Sequence, residues 1–310
     1  MMKNDDVRTM NILLGYDGSK HAQAALSLLC DLCPEGLHTP TANITILAVF
    51  TPLMAGDQGI LRDSLEQAHA LLANKCFQVT SEFVLGYPAE KLMEYAEKIN
   101  PDLIVLGAKG LRSAFGILLG GVAQQIVEYA CCPVLVVRAP HHDEHQWMLV
   151  TDGSDFSINA THYLSNFPIP PGTKVHTLYV LPPLPLNPPN EFYTRTYPIA
   201  PEVLPVYPSE PTEEMLKWQE EEEKTGQILV DETVNTLKER GIDAIGALER
   251  GDAAKEIIDY AKNNKVDLII CGSRGLSTFK GWLLGSVSRK LVHYSECSVL
   301  VFKSSQKAKA

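Results

Sequence analysis

The chain of 310 residues repeats itself, and this internal repeat limits the folds open to it more than any other feature. Residues 107–137 match residues 272–302 at a constant offset of 165, with glycine, tyrosine and cysteine positions shared. The beginnings of the copies match as well, because ILLGYDGS at 12–19 recurs as MLVTDGSD at 148–155. We therefore expect two similar domains in tandem.

The two domains are placed at 1–139 and 146–305, with the polar segment APHHDEHQ between them. The offset between the copies grows along the chain because the second copy carries an insertion at 181–211. Its ten prolines exclude a helix or a central strand. We expect an extended flap that runs along the surface as a polyproline-like excursion; the alternative is that its aromatic residues pack over a ligand or a partner subunit.

Each copy alternates short β-branched runs with longer amphipathic stretches, which is the pattern of βαβ units. Strands such as LIVLG and LIICG are apolar at every position, as expected when helices cover both faces of a sheet. We predict an α/β fold of two tandem open parallel five-stranded sheets. One ligand can meet Asp17, after strand one, and Gly107, after strand four, only if these strands are neighbours. The predicted order is therefore 3-2-1-4-5.

Composition and charge exclude several classes of protein. A content of 45% hydrophobic and 21% charged residues is typical of a globular protein. The net charge of −10 opposes binding to a nucleic-acid backbone. No apolar run reaches the length that spans a bilayer, and the first residues lack the pattern of a signal peptide. We expect a cytoplasmic protein without disulfides and without a nucleic-acid or membrane partner.

Three further patterns suggest chemistry but have simpler explanations. The CxxC of Cys30 and Cys33 has no second pair of ligands, so we expect ordinary thiols at a helix end. The histidines at 141, 142 and 145 are expected to lie in a solvated linker. The acidic run 220–223 is expected to be the solvated face of a helix.

A spaced glycine pattern follows the fourth strand of each copy. It reads GxxG, nine residues, then glycine, a small residue and a helix: Gly107, Gly110, Gly120, Gly121 and Gly272, Gly275, Gly285, Ser286. Glycines allow the backbone to approach a ligand closely, and the start of a helix offers free N–H groups and a positive dipole end. The pattern therefore predicts a phosphate-binding loop; the alternative is a tight turn from strand to helix.

This pattern, with the flanking ACCPVLVVR and YDGS, resembles that of the ATP-binding universal stress proteins, and the resemblance covers both copies. It implies that ATP, AMP or ADP binds at the glycine loop, with an accompanying Mg²⁺ left open. It also implies that Asp17 and Asp152 contact the nucleoside and that Val49 and Val180 lie near adenine. The alternative for each aspartate is that it opens a turn with the adjacent Gly-Ser.

The candidate nucleotide-binding residues lie at strand ends, in the glycine loops and at the following helix starts. They are Asp17, Val49, Gly107, Lys109, Gly110, Gly120, Gly121, Asp152, Val180, Gly272, Ser273, Arg274, Gly275, Gly285, Ser286 and Val287. Only the second copy has the whole motif, since the hydroxyl residue expected before the helix is a glycine in the first. We expect a serine in that place to cap the helix or to donate to phosphate, and the first copy to bind more weakly. Both loops carry a basic residue that could screen phosphate charge.

No activated nucleophile with an orienting partner is visible, and neither GxxxxGK[ST] nor GxSxG occurs. We therefore predict a nucleotide-dependent regulator that is not an enzyme. The alternatives are a protein-interaction scaffold and a slow ATPase or phosphotransfer protein. The resemblance also implies that the copies pair through their last strands, at 133–137 and 298–302, as a pseudo-dimer within one chain. Homodimerisation of the chain is left open.

Overall fold

The structure is a computed structural model that describes residues 9–32, 42–51, 58–75, 77–111, 119–142, 144–184, 213–275 and 284–303. The ten strands are β1 (Met10–Gly15), β2 (Ala42–Phe50), β3 (Phe77–Leu85), β4 (Leu103–Gly107), β5 (Val134–Val137), β6 (Gln146–Val150), β7 (Lys174–Leu181), β8 (Asp243–Arg250), β9 (Leu268–Gly272) and β10 (Ser298–Phe302). The helices are α1 (Lys20–Asp31), α2 (Gln58–Ala73), α3 (Pro88–Ile99), α4 (Gly121–Tyr129), α5 (Asp155–Leu164), α6 (Glu213–Glu239), α7 (Ala253–Asn263) and α8 (Ser286–Tyr294).

The strands form one sheet in the order β3-β2-β1-β4-β5-β10-β9-β6-β7-β8. Each half of the chain has the predicted order 3-2-1-4-5, with parallel neighbours. The halves meet where β5 and β10 pair antiparallel, with Val136 opposite Val299. The two predicted sheets are thus joined edge to edge through their last strands. Because this pair is antiparallel, the strands of the two halves run in opposite directions. Their carboxyl ends therefore lie on opposite sides of the sheet, measured along the strands.

Two apolar layers, one on each face of the sheet, bury the helices of both halves. Leu13 and Leu14 are adjacent on β1, and each is 0% exposed because successive strand residues point to opposite faces. Leu14 packs in the layer that includes α1, α2, α5 and α6. Leu13 packs in the layer with α3, α4, α7 and α8. Both layers continue across the β5–β10 pair, which explains why central strands such as β4 and β9 are apolar at every position.

Several element ends differ from the predicted ones. Helices α4 and α8 end at Tyr129 and Tyr294, because the backbone of Ala130 and of Ser295 is already extended toward the last strand. Leu181 was assigned to the proline-rich insertion, but it is the last residue of β7 and is 2% exposed. Residues 185–212, which carry most of the predicted flap, lie outside the described residues.

Two segments that were predicted to be solvated make defined contacts. His141 in the linker lies with Nε2 2.5 Å from Oδ2 of Asp31, at the end of α1. Glu222 in the acidic run is 19% exposed and accepts a hydrogen bond from Arg250 at 2.6 Å, while the neighbouring Glu223 is 58% exposed. The prediction therefore holds for one side of the acidic run and is wrong for the side that faces Arg250 at the end of β8.

The half-buried carboxyl of Asp267 lies between the linker that joins the two halves and the strands of the second half. The carboxylate of Asp267 accepts two 3.3 Å hydrogen bonds from the backbone N–H of Gln146, and the N–H of Asp267 donates to the carbonyl of Gln146. Burial raises the pKa of this carboxyl from 3.8 to about 6, although the backbone hydrogen bonds oppose that rise.

We predict that Asp267→Asn stabilises the protein more at pH 7 than at pH 4. Between 3.8 and about 6 the folded chain binds more protons at this carboxyl than the unfolded chain, so wild-type stability falls as pH rises through that window. The neutral amide removes this penalty, which we put at about 1 kcal/mol after allowing for solvent screening. Urea unfolding at both pH values measures it. Glu296→Gln is the control, because its side chain is 79% exposed and carries no such burial cost. A gain for Asp267→Asn that is equal at both pH values would contradict the prediction.

Candidate functional site

The turn after the first strand of each half is held by an aspartate. Strand β1 ends at Gly15, so Asp17 lies two residues beyond the strand that it was predicted to close. Its Oδ1 accepts a 3.0 Å hydrogen bond from the N–H of Ser19, and Oδ1 of Asp152 accepts one of 3.0 Å from the N–H of Ser154. Gly18, between Asp17 and Ser19 in the chain, has φ +76°, a conformation that favours glycine. The structural alternative, in which the aspartate opens a turn with Gly-Ser, describes this geometry.

The same aspartate also contacts the glycine loop. In the first half, Oδ2 of Asp17 accepts a 3.1 Å hydrogen bond from the N–H of Leu111, and Oγ of Ser19 donates to the carbonyl of Lys109 at 3.1 Å. A methyl group on Gly110 would lie 2.6 Å from Oδ2 of Asp17. The first-strand turn and the glycine loop therefore form one unit, which requires β1 and β4 to be neighbours, as they are.

The first glycine of each loop lets a helix approach the strand end. A Cβ on Gly107 would lie 2.8 Å from the backbone N of Ala22 in α1, and one on Gly272 would lie 2.9 Å from Cβ of Phe156 in α5. These glycines therefore have a packing role that is independent of any ligand. The alternative of a tight turn from strand to helix accounts for the first glycine of the motif. It does not account for the cavity that lies beside the first-half loop.

The N-cap of the helix that follows each loop lies one residue before the predicted position. Gly120 and Gly285 are the N-caps of α4 and α8, without a side-chain cap, and Gly121 and Ser286 are the first helical residues. The predicted capping role of Ser286 is therefore wrong, because its backbone is already helical. Its side chain is exposed at the helix start and makes no capping hydrogen bond. Both helices present their first N–H groups next to the loop.

A cavity of about 480 Å³ lies at the carboxyl edge of the first half, between these elements. Its lining includes all of the first-half candidates: Asp17, Val49, Gly107, Lys109, Gly110, Gly120 and Gly121. Leu47, Leu92 and Leu106 add an apolar wall, and Thr51 adds a hydroxyl. The volume is within the range of small-molecule sites, and its wall combines apolar side chains with a carboxylate and a helix N-terminus.

The second half repeats the close approach of the aspartate to the glycine loop, with different side chains around it. The N–H of Gly285 donates to the carbonyl of Ser273 at 2.7 Å, which closes the loop onto the start of α8. A Cβ on Gly275 would collide with Oδ2 of Asp152. The Arg274 guanidinium lies 5.4 Å from the ring centre of Phe156, and its buried Nε has no hydrogen-bond partner among the described residues. Lysine occupies the matching place in the first half.

Two second-half candidates lie apart from that loop contact. Val180 is half-buried near the end of β7, beyond Leu178, whose carbonyl accepts a hydrogen bond from the N–H of Thr151. Val287 is half-buried in the first turn of α8. Sequence reasoning missed Ser288, which is buried and donates to the carbonyl of Gly272 at 2.7 Å. It also missed the loop contact of Ser19, whose position next to Asp17 was a usable signal.

The side chains at 17, 19 and 21 do not form a catalytic relay. Oγ of Ser19 accepts a hydrogen bond from the N–H of Ala22 and so caps α1. Nδ1 of His21 accepts a 2.9 Å hydrogen bond from the N–H of Ala139, which commits this ring nitrogen to the linker backbone. Burial, followed by the charges of Lys109 and Arg138, lowers the pKa of His21, so its neutral form is favoured.

In the described part of the chain, no group of three or more His, Cys, Asp or Glu side chains could hold a metal ion. Cys30 is a free thiol, while Cys33 lies outside the described residues. None of the described helices combines the length and apolar character that crossing a membrane requires.

Comparison with known proteins gives a family match across both halves. The sequence model described as "Universal stress protein family" matches residues 9–138 and 146–303. A universal stress protein of Mycolicibacterium smegmatis is 25% identical over 316 aligned residues, which cover 94% of this chain and 96% of that protein. One from Methanocaldococcus jannaschii is 37% identical over 79 residues, which cover 26% of this chain and 46% of its own length.

A solved structure shares the whole fold. The crystal structure of a universal stress protein from Archaeoglobus fulgidus superposes with a TM-score of 0.61 at 18% identity, covering 96% of this chain and 97% of that one. At this identity the likeness concerns the fold alone. It agrees with the arrangement of two similar halves in one chain.

We predict that Gly107→Ala and Gly272→Ala each lower the free energy of unfolding by about 1–3 kcal/mol, because the added methyl group overpacks a contact with helix backbone or Cβ atoms. Gly59→Ala in α2 is the control, since its Cβ would meet nothing within 4 Å. Urea denaturation measures all three variants. Equal stability of the loop variants and the control would contradict the close approach of α1 and α5 to the strand ends.

Proposed function

Because the chain belongs to the universal stress protein family, we propose that it is a stress-response protein that binds adenine nucleotides and regulates through that binding without strong catalysis. The observation that carries the proposal is the first-half cavity of about 480 Å³ between Asp17, Val49 and the glycine loop. Its shape offers an apolar wall for a base, a carboxylate for a nucleoside and a helix N-terminus for phosphate.

Each candidate residue then has a specific task. The carboxylate of Asp17 still has free lone pairs after accepting from Ser19 and Leu111, so it can take a hydrogen bond from a ribose hydroxyl. Val49 is 7% exposed at the end of β2 and offers apolar contact to the base. The first N–H groups of α4, beyond Gly120, face the loop and suit phosphate oxygens.

The second half is proposed to bind in the same way, through Asp152, Val180, the loop from Gly272 to Gly275, and the start of α8. Ser286 and the guanidinium of Arg274 are the polar groups that distinguish this loop from the first one. The exposed Ser286 hydroxyl can donate to a phosphate oxygen. The Arg274 guanidinium can pair with phosphate in a fork geometry that lysine lacks.

The arrangement supports binding better than catalysis. The side chains of Asp17, Ser19 and His21, near the cavity, are committed to a turn, a helix cap and a backbone hydrogen bond, as described above. We also propose a cytoplasmic location, the domain division at 1–139 and 146–305, and a pseudo-dimer that needs no second chain to cover β5 and β10. Mg²⁺ that accompanies ATP would be held mainly by phosphate oxygens and water, with Asp17 or Asp152 as the available carboxylate.

The direct test is equilibrium binding of ATP, ADP and AMP to the purified chain, with two variants that block one half each. Gly110→Val and Gly275→Val place a branched side chain against the carboxylates of Asp17 and Asp152. We expect two equivalents of nucleotide on the wild type and one on each variant, measured by calorimetry. Circular dichroism confirms that the variants fold.

Absence of binding to the wild type would refute nucleotide binding and favour an interaction scaffold. Steady phosphate release that Asp152→Ala abolishes would favour a slow ATPase.

A second prediction concerns the missing hydroxyl of the first half. A Cβ on Gly121 would meet nothing within 4 Å, so Gly121→Ser fits without rearrangement. We expect it to tighten nucleotide binding at the first half by about 5- to 10-fold, since one hydrogen bond to a charged group contributes roughly 1 kcal/mol or more. Ser286→Gly is the reciprocal variant and should weaken the second half by a similar factor. Calorimetry in the Gly275→Val and Gly110→Val backgrounds, respectively, isolates each site. No change in either variant would show that the hydroxyl does not contact the ligand.

A further inference from the structure

The residue that follows the last strand of each half is a buried cation. Arg138 follows β5 and is 7% exposed, and Lys303 follows β10 and is 6% exposed. The two occupy equivalent positions, because they are separated by the repeat offset of 165. Burying a charge is costly unless it has good partners. Their partners therefore indicate what these two side chains do.

Each cation holds the end of a helix in the opposite half. Nη2 of Arg138 donates to the carbonyl of Val292 at 2.7 Å, in the last turn of α8. Nζ of Lys303 donates to the carbonyls of Glu128 at 3.1 Å and Ala130 at 2.8 Å, at the end of α4. The last carbonyls of a helix lack partners within the helix and form its negative end, so a cation there is well placed.

The other ends of these two helices start at the glycine loops. The N–H of Gly120, just before α4, donates to the carbonyl of Ala108 at 2.8 Å. The N–H of Gly285, just before α8, donates to the carbonyl of Ser273 at 2.7 Å. Each helix has only nine residues, so about 14 Å separates its last turn, which the cation contacts, from its first turn at the loop. A change at its last turn therefore reaches the loop at its first turn.

The cations are themselves connected to the loop of their own half. The N–H of Ala108 in the first loop donates to the carbonyl of Val137, next to Arg138, at 2.7 Å. The N–H of Ser273 in the second loop donates to the carbonyl of Phe302, next to Lys303, at 2.8 Å. The contacts thus run from each loop to the adjacent cation, across to the opposite helix and along it to the opposite loop. A 3.1 Å ion pair between Arg289 of α8 and Glu128 of α4 joins the two helices directly.

We propose that Arg138 and Lys303 are positioning residues for the nucleotide site of the opposite half, and that they couple the two sites. Arg138 orients α8 and the second-half loop, and Lys303 orients α4 and the first-half loop. This inference rests on the proposed nucleotide binding. It predicts a crossed effect, in which a substitution at the edge of one site changes the other site, and which a local or a general loss of stability would not produce.

The test measures each site separately in chains whose other half is blocked. In the Gly110→Val background, which reports the second half, we expect Arg138→Met to weaken AMP or ATP binding at least about threefold and Lys303→Met to change it by less than about twofold. In the Gly275→Val background the expected pattern is reversed. Arg138→Lys and Lys303→Arg keep the cation and use the residue found in the other half, so they should retain binding.

Hydrogen exchange in the absence of nucleotide gives a second, independent measurement. In Arg138→Met the amides of Gly285 and Arg289, which are bonded at the start of α8, should exchange faster. In Lys303→Met the amides of Gly120 and Gln124 should do so. The wild type and the charge-retaining variants provide the reference rates.

The outcomes distinguish the inference from the function on which it rests. Crossed effects in binding and exchange support it. Effects confined to the nearer site, equal effects at both sites, or none would overturn it even when the wild type binds two nucleotides. If the wild type binds no nucleotide, the proposed function fails, and the exchange measurement alone decides whether the two cations position the opposite loops.

Discussion

The antiparallel pairing of β5 with β10 is the contact on which the rest of the structure depends. It joins two five-stranded sheets into one and covers the edge that each would otherwise expose. Because both strands are buried, the apolar layers on the two faces continue from one half to the other. The same pairing sets the candidate sites at opposite edges of the sheet, so one nucleotide cannot bridge them. It also carries Arg138 and Lys303 across the boundary to the opposite helices.

The glycine loops show how packing and ligand binding can require the same residue. Gly107 and Gly272 are needed because a helix backbone or Cβ atom approaches them closely, whether or not a nucleotide binds. A glycine motif alone therefore does not identify a phosphate site. The proposed phosphate site is supported by the combination of the cavity, the helix N-terminus without a side-chain cap, and a carboxylate with free lone pairs. These features arise from elements that are far apart in sequence.

The two halves share a fold and differ in the side chains that face a ligand. Gly121 and Lys109 of the first half correspond to Ser286 and Arg274 of the second. His21, which accepts a hydrogen bond from the linker backbone, corresponds to Phe156, which lies beneath the Arg274 guanidinium. On the proposed nucleotide binding, these differences predict unequal affinities in the two halves, and the proposed coupling through α4 and α8 lets occupancy of one site affect the other.

The repeat and the strand order within each half were predictable from the sequence, because local periodicity and one shared ligand leave few arrangements open. The pairing of the last strands was expected from the family resemblance alone. Helix caps and the surroundings of single polar groups were not predictable. The capping role assigned to Ser286 was wrong by one residue, and the contact between His141 and Asp31 was missed. Hydrophobic periodicity is a local property of the sequence. Caps, buried cations and cavities instead depend on backbone groups from segments that are distant in the chain. Only the folded sheet brings Arg138 to the end of α8.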